Sequence, residues 1–345
     1  MRMKAAILYE LNKPLALEEV DVPEPTFGQV RVQVKASGIC RKQLQEVRGL
    51  HGPDPHLPHL LGHEGAGIVD TIGPGVRRVA VGDHVVVSWI KAAGLEPNPP
   101  VYKQGDRDIH AGGVTTFNQY TVAAENRVTR IPKNIPFDKA ALLGCAIPTG
   151  VGVVINTAKV KPQSSVAVFG VGGIGLNIIQ GSALMKASKI IAVDLYDQKL
   201  EQARVFGATH TINAREQGPV TRIKELTEGK GADYAFEASA SRQAMENAYA
   251  CVRWGTGLAV LVGNLPHDDK KISIDPFPLY AGTRLIGTWG GETNPDRDFP
   301  RYVDWYLKGR LKLDELITHR FRLEEINSAF LALERGEVGR AIIEF

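Results

Sequence analysis

The run Gly170-Val171-Gly172-Gly173-Ile174-Gly175 constrains the fold of this chain more than any other feature. It follows an apolar stretch, Val166-Ala167-Val168-Phe169, and opens a helical pattern at Leu176-Asn177-Ile178-Ile179-Gln180. A strand that turns through glycines into a helix gathers free backbone N–H groups and the positive end of the helix dipole at one point, where an anion is favoured. Taken alone, the G-x-G-x-x-G spacing is a weak signal. Its context strengthens it, because Asp194 closes the next apolar stretch roughly 20 residues further on, the separation at which an acid meets the adenosine ribose of a dinucleotide. An acid there accepts hydrogen bonds from the ribose and repels a 2′-phosphate, which favours NAD(H) over NADP(H).

Around this turn the rhythm is strand, helix, strand, with further strands read at residues 190–193, 234–236, 258–262 and 285–286. Such alternation predicts an α/β domain with a doubly wound parallel sheet over residues 148–288. The earlier part of the chain reads differently. Short alternating stretches such as residues 30–36 and 68–72, the second followed by Gly73-Pro74-Gly75, predict a β-rich, barrel-like domain. Beyond residue 289 come helical patterns at 302–307 and 323–333 and a closing strand at 340–343, too little for a third domain. The economical division is therefore 1–147 with 289–345 as one domain and 148–288 as the other. A length of 345 residues fits two domains at about 150 residues each. Residues 91–113, with Pro97, Pro99 and Pro100, read as a long irregular loop.

A net charge of +3 with no run of Lys and Arg leaves no electrostatic footprint for nucleic acid or a membrane surface, so the expected partner is a small molecule. Three cysteines at wide spacing argue against a disulfide framework and for a reducing compartment. Glu10 arrives too early for a signal-peptide core, and no apolar stretch approaches the ~20 residues of a membrane span. The expected location is cytoplasmic.

Cys40, His63 and Cys145 offer two thiolates and an imidazole. Those groups satisfy three corners of a tetrahedral zinc, and an open fourth corner marks a catalytic site rather than a closed structural one. They lie far apart, so spacing alone does not prove that they meet. Cys251, inside Ala248-Tyr249-Ala250-Cys251-Val252, reads as a buried structural thiol.

The motifs Gly38-Ile39-Cys40, Gly62-His63-Glu64 with Gly67, Gly82-Asp83-His84-Val85-Val86, Thr116-Phe117-Asn118-Gln119-Tyr120 and Gly144-Cys145, followed by the glycine run, occur in this order over nearly the whole chain. In them the chain resembles the zinc-containing alcohol dehydrogenases of the medium-chain dehydrogenase/reductase family. The resemblance implies a doubly wound parallel Rossmann sheet joined to a β-rich GroES-like catalytic domain, and an NAD-dependent alcohol dehydrogenase with one catalytic zinc per chain. It makes Cys40, His63 and Cys145 the zinc ligands and puts Glu64 beside them, able to approach the metal during ligand exchange. It places Thr149 by the nicotinamide, Arg41 and Arg340 on the pyrophosphate, Lys199 beside the adenosine ribose, and Gly170, Gly172, Gly173, Ile174, Gly175, Asp194 and Gly263 against the cofactor. It also implies a homodimer or homotetramer in which edge strands pair around residues 283–287. Zinc in such a site lowers the pKa of the alcohol from which hydride departs.

Three departures from the family bear on the substrate. Residues 91–113 hold no cysteine, so the second, structural zinc of many relatives is excluded. Where relatives carry Ser or Thr two residues after the first zinc cysteine, with an Asp next to it, this chain has Lys42 and Gln43. The Lys42 amine has three readings: acid–base work, anchoring of an anionic or hydroxyl-rich substrate, or an outward pairing with Glu46 worth a few tenths of a kcal/mol. Third, His51, Ala111, Gly112 and Trp89 stand at positions that suggest a wide, polar pocket, which leans toward a secondary or polyhydroxylated alcohol. As metal ligands, His51, His56, His59, His84 and His110 are not expected; they read as surface or packing residues. Loss of the hydroxyl also keeps open a reductase of an activated double bond or iminium, and a non-catalytic NAD-binding protein is a third, less favoured alternative.

Overall fold

Hydrophobic patterning at the two ends of the chain converges on one body. In the computed structural model, which describes residues 1–267 and 270–345, residues 1–145 and 294–345 form one compact unit and residues 146–293 a second. The divisions lie slightly outside those expected at 147/148 and 288/289. The reason is local: the helix Ala146–Gly152 and the turn Gly290–Glu292 pack on each other within the second unit. Thr293 Oγ1 donates to the Pro148 carbonyl at 3.0 Å, and a Cβ on Gly291 would stand 2.4 Å from that same oxygen.

The second unit is built on a parallel sheet whose order is His210–Asn213, Lys189–Asp194, Ser165–Phe169, Tyr234–Glu237, Leu258–Leu261 and Arg284–Gly287. Every residue of Ser165–Phe169 is buried, as a strand covered on both faces requires. The strand order reverses beside it, and open α/β sheets bind ligands outside the carboxyl ends of the strands at such a point. The sequence reading lacks His210–Asn213, because its four residues include one aliphatic side chain, Ile212.

The first unit centres on the long strand Gln29–Ile39, which pairs antiparallel with Glu64–Ile72, Tyr120–Ala124 and Ala341–Glu344. Its inward valines Val30 and Val32 pack with Val69, Val85, Val87 and Val128. Register shifts between Arg31 and Val32 and between Val34 and Ala36 bend the strand, as bulges do. The C-terminal strand aligns Ala341 with Ile39, so one step further Arg340 comes opposite Cys40.

Residues 91–113 are not wholly irregular. They contain a hairpin, Tyr102–Gln104 with Arg107–Ile109, that joins the sheet holding Arg2–Leu8 and Ala16–Asp21. Gly105, at φ +58, makes its turn. Tyr102 and Ile109 are fully buried, and the Tyr102 hydroxyl accepts from the Val122 N–H at 2.8 Å. Strands of three residues are too short for alternation to be visible in sequence, so proline dominated the reading. Among the described residues no single helix is long and apolar enough to cross a membrane.

Candidate metal and cofactor sites

Three separate chain turns bring the metal-type side chains together. Cys40 ends the strand Gln29–Ile39 and caps the helix Arg41–Val47, where its N–H donates to Gln43 Oε1 at 2.7 Å. His63 immediately precedes the strand Glu64–Ile72, and Cys145 follows the turn Leu142–Gly144. One ligand atom from each of Cys40, His63, Glu64 and Cys145 lies within 4.8 Å of the others. His63 Nε2 is shielded from water without a hydrogen-bond partner. The Cys145 thiol and then the His63 imidazole draw the Cys40 thiol well below the usual range, whereas Cys145, beside the Cys40 thiolate, is pushed well above it. Burial works against a charged His63, but the neighbouring Cys40 outweighs it and holds His63 above the ordinary imidazole value. Two buried thiols that compete for one proton beside an orphaned imidazole nitrogen fit a divalent cation.

Glu64 is fully buried, and its position depends on glycines. A Cβ on Gly38 would stand 2.6 Å from the Glu64 carboxyl carbon, and one on Gly144 would stand 2.7 Å from Glu64 Cβ. Ser37 and Thr116 fix its backbone by donating to the Glu64 carbonyl at 3.1 and 3.2 Å. Glu64 Oε1 pairs with the Arg340 guanidinium, itself buried, while Glu64 Oε2 and Arg340 Nε have no partner. Desolvation raises the Glu64 pKa, partly offset by Arg340, and the neighbouring acids push the Arg340 pKa further up despite its burial. Arg340 is thus a buried counter-ion rather than a surface charge. Sequence reasoning missed this partnership, because nothing in the sequence links residues 64 and 340.

The outward Lys42–Glu46 pairing does not form. Lys42 Nζ lies 2.7 Å from His51 Nε2. An ammonium has no lone pair, so it donates and the neutral imidazole accepts. Desolvation and the Lys42 charge both lower the His51 pKa, in keeping with that neutral form. Burial lowers the Lys42 pKa, partly offset by Glu46 and Cys40, and burial raises that of Glu46, partly offset by His63 and Lys42. Trp89 donates its backbone N–H to the His63 carbonyl at 3.1 Å. Ala111 instead packs toward the core containing Tyr102, and Gly112 is exposed. His59 pairs with Asp54 at 2.6 Å, and His84 rests against Phe137.

In the second unit Gly172 caps the helix Gly173–Leu184, and the space above it is open to any added Cβ. Gly170, at φ +84, would bring a Cβ within 2.6 Å of Ser239, and a Cβ on Gly175 would meet the Gly170 carbonyl at 2.0 Å. Both must be glycine for strand and helix to approach this closely. Asp194 Oδ2 accepts from the Val171 N–H at 2.9 Å, tying the acid to the turn. Gly263 faces Glu237, a buried carboxylate absent from the sequence reading, whose Oε1 accepts from the Ser239 N–H and hydroxyl at 2.6 and 2.7 Å. Thr149 Oγ1 is buried without a partner. Arg41 is exposed at the start of its helix, and Lys199 follows Asp194 on the helix Asp197–Val205. Cys251 is buried, and desolvation pushes its thiol up to about 12.

This geometry agrees with comparisons to known proteins. The alcohol dehydrogenase GroES-like domain family matches residues 26–133 and the zinc-binding dehydrogenase family residues 173–308. S-(hydroxymethyl)glutathione dehydrogenase of Paracoccus denitrificans is 37% identical, over 99% of this chain and 100% of the relative. Among solved structures, benzyl alcohol dehydrogenase from Acinetobacter calcoaceticus superposes with a TM-score of 0.91 at 29% identity, covering 100% of this chain and 99% of that one. The 2R,3R-butanediol dehydrogenase from Bacillus subtilis gives 0.81 at 26% identity, over 99% of each chain. The chain belongs to the zinc-containing alcohol dehydrogenases of the medium-chain dehydrogenase/reductase family. It is an NAD-dependent enzyme with zinc as its metal, acting on an alcohol or the corresponding carbonyl compound.

Proposed function

We propose that Cys40, His63 and Cys145 hold the catalytic zinc, with Glu64 in reserve as a further oxygen ligand, and that the substrate is a secondary or polyhydroxylated alcohol. The observation that carries the substrate reading is the Lys42–His51 hydrogen bond, which holds an ammonium on the helix begun at Cys40. Lys42 donates to a second oxygen of the substrate, and His51 positions it. Zinc, when bound, polarises the reacting oxygen so that its proton leaves more readily. Glu64 and Arg340 keep the buried charge near the thiolates balanced. For the cofactor we assign the phosphates to residues 170–175 and Arg41, the ribose to Asp194 and Lys199, the position beside strand Leu258–Leu261 to Gly263, and the nicotinamide to Thr149. A pyrophosphate contact from Arg340 is open to its unpartnered Nε. Three free, buried cysteines support a cytoplasmic location.

The test compares 2,3-butanediol with 2-butanol by NADH formation. Lys42→Met is expected to lower kcat/KM for the diol about tenfold, the worth of one charge-assisted hydrogen bond, with much less effect on 2-butanol. Equal loss on both alcohols, or none on the diol, sinks the anchoring role.

The edge strand Arg284–Gly287 supports a homo-oligomer. It is half exposed, and nearby Trp254, Phe277 and Tyr280 form an aromatic cluster that is 55%, 63% and 83% exposed. We propose that two copies pair here. Light scattering should give a dimer or tetramer that Phe277→Glu with Tyr280→Glu shifts to smaller species. A wild-type monomer contradicts the pairing.

A further inference from the structure

The segment between the helix Arg41–Val47 and His63 carries the residue that holds Lys42. Residues 50–58 run without helix or strand, with Gly52 at φ +93 and three prolines, Pro53, Pro55 and Pro58. Leu57 packs against the core around Leu61 and Phe117. Among the described residues the side chains of this segment make two hydrogen bonds to groups outside it. One joins His51 Nε2 to Lys42 Nζ at 2.7 Å, and the other joins Asp54 Oδ2 to His59 Nε2 at 2.6 Å.

His59 stands on the short strand His59–Leu60, which pairs with Arg2–Leu8 and leads through Leu61 and Gly62 to His63. Its other ring nitrogen, Nδ1, lies 2.9 Å from the Leu60 carbonyl. A carbonyl and a carboxylate only accept, so both nitrogens donate and the contact with Asp54 is charge-assisted. Asp54 Oδ1 accepts from the His56 N–H at 2.9 Å, which closes a turn on the same side chain. Burial works against a charged Asp54, but the His56 N–H and the His59 ring outweigh it and hold the carboxyl below the usual range. Side-chain exposures of 13% for His59 and 20% for Asp54 put the pair largely out of water, where such a contact is stronger than on the surface. Asp54 thus ties the chain to a strand three residues beyond His51. Cutting that tie returns conformational freedom to the backbone around His51.

We propose that Asp54 and His59 are positioning residues that set substrate specificity: by fixing the segment they hold His51 against Lys42 and keep the ammonium directed at a second substrate oxygen. The inference rests on the reading of Lys42 as the anchor for that oxygen. Both residues act through Lys42, not on the reacting atoms.

Steady-state kinetics of the zinc-loaded full chain with 2,3-butanediol and 2-butanol test it. Asp54→Ala should raise KM for the diol about fivefold, within the range for coupled residues of one hydrogen-bond network, and KM for 2-butanol less than about twofold. Asp54→Asn keeps an acceptor for the His56 N–H but loses the charge, and should fall between Ala and wild type. If Asp54→Ala does not yield folded protein, His59→Gln carries the same test with the same split expected. In a Lys42→Met background Asp54→Ala should no longer distinguish the two alcohols, because the ammonium through which it acts is gone. The inference is overturned if Asp54→Ala affects both alcohols equally, leaves the diol unchanged, or keeps its full effect in the Lys42→Met background. If Lys42→Met alone spares the diol, the anchoring role fails first, a result read without any change at Asp54.

Discussion

Replacing Cys40 with Ser or His63 with Ala is expected to lower zinc from one ion per chain to a small fraction and to reduce alcohol oxidation by at least about a thousandfold. The magnitude follows from the Lewis-acid contribution of several kcal/mol, at about 1.4 kcal/mol per factor of ten. Elemental mass spectrometry and NADH formation measure the two effects independently. NADH binding should survive in both variants, because the glycine turn and Asp194 belong to the other unit. Full turnover in either variant overturns the metal assignment. Loss of nucleotide binding as well would mean that the substitution had damaged the fold.

The second large effect concerns the Glu64–Arg340 pair. Removing one partner of a fully buried ion pair leaves the other charge uncompensated in a medium that solvates it poorly, which typically costs about 3–5 kcal/mol. Arg340→Met should therefore lower the urea midpoint of the first unfolding transition substantially, and Glu64→Gln should do likewise. The double variant is expected to regain a large part of the loss, since two neutral side chains carry no stranded charge. If Arg340→Met changes stability by less than about 1 kcal/mol, the pair is not the isolated buried contact that its burial indicates.

What sequence revealed here divides along physical lines. The parallel sheet was legible because a strand buried on both faces must be a continuous apolar run, as residues 166–169 are, and because the turn after it tolerates no side chain at Gly170 or Gly175. The identity of the metal-type residues was legible from their chemistry and from the family resemblance. Their meeting was not, because it depends on the register of distant strands. Arg340 finds Glu64 because Ala341 aligns with Ile39, and no local pattern encodes such a register. The Lys42–His51 contact was hidden for a related reason. Spacing of i and i+4 made Glu46 the obvious partner, whereas the segment after the helix brings His51 to the amine instead. The hairpin at Tyr102–Gln104 and Arg107–Ile109 was obscured by the prolines before it, although its turn at Gly105, with positive φ, follows ordinary rules.

The alignment of Ala341 with Ile39 also sets an order of events during synthesis. Cys40, His63 and Cys145 emerge from the ribosome with Glu64 among them, but the arginine that balances that carboxylate is made after all of them and after the whole second unit. Domains tend to fold as their residues appear, so the dinucleotide-binding unit can be complete while its companion still lacks its closing strand. Until residues 340–344 dock, Glu64 has no counter-charge and the strand Gln29–Ile39 has an open edge. An unpaired strand edge of this kind is where a partly made chain is exposed to wrong pairing.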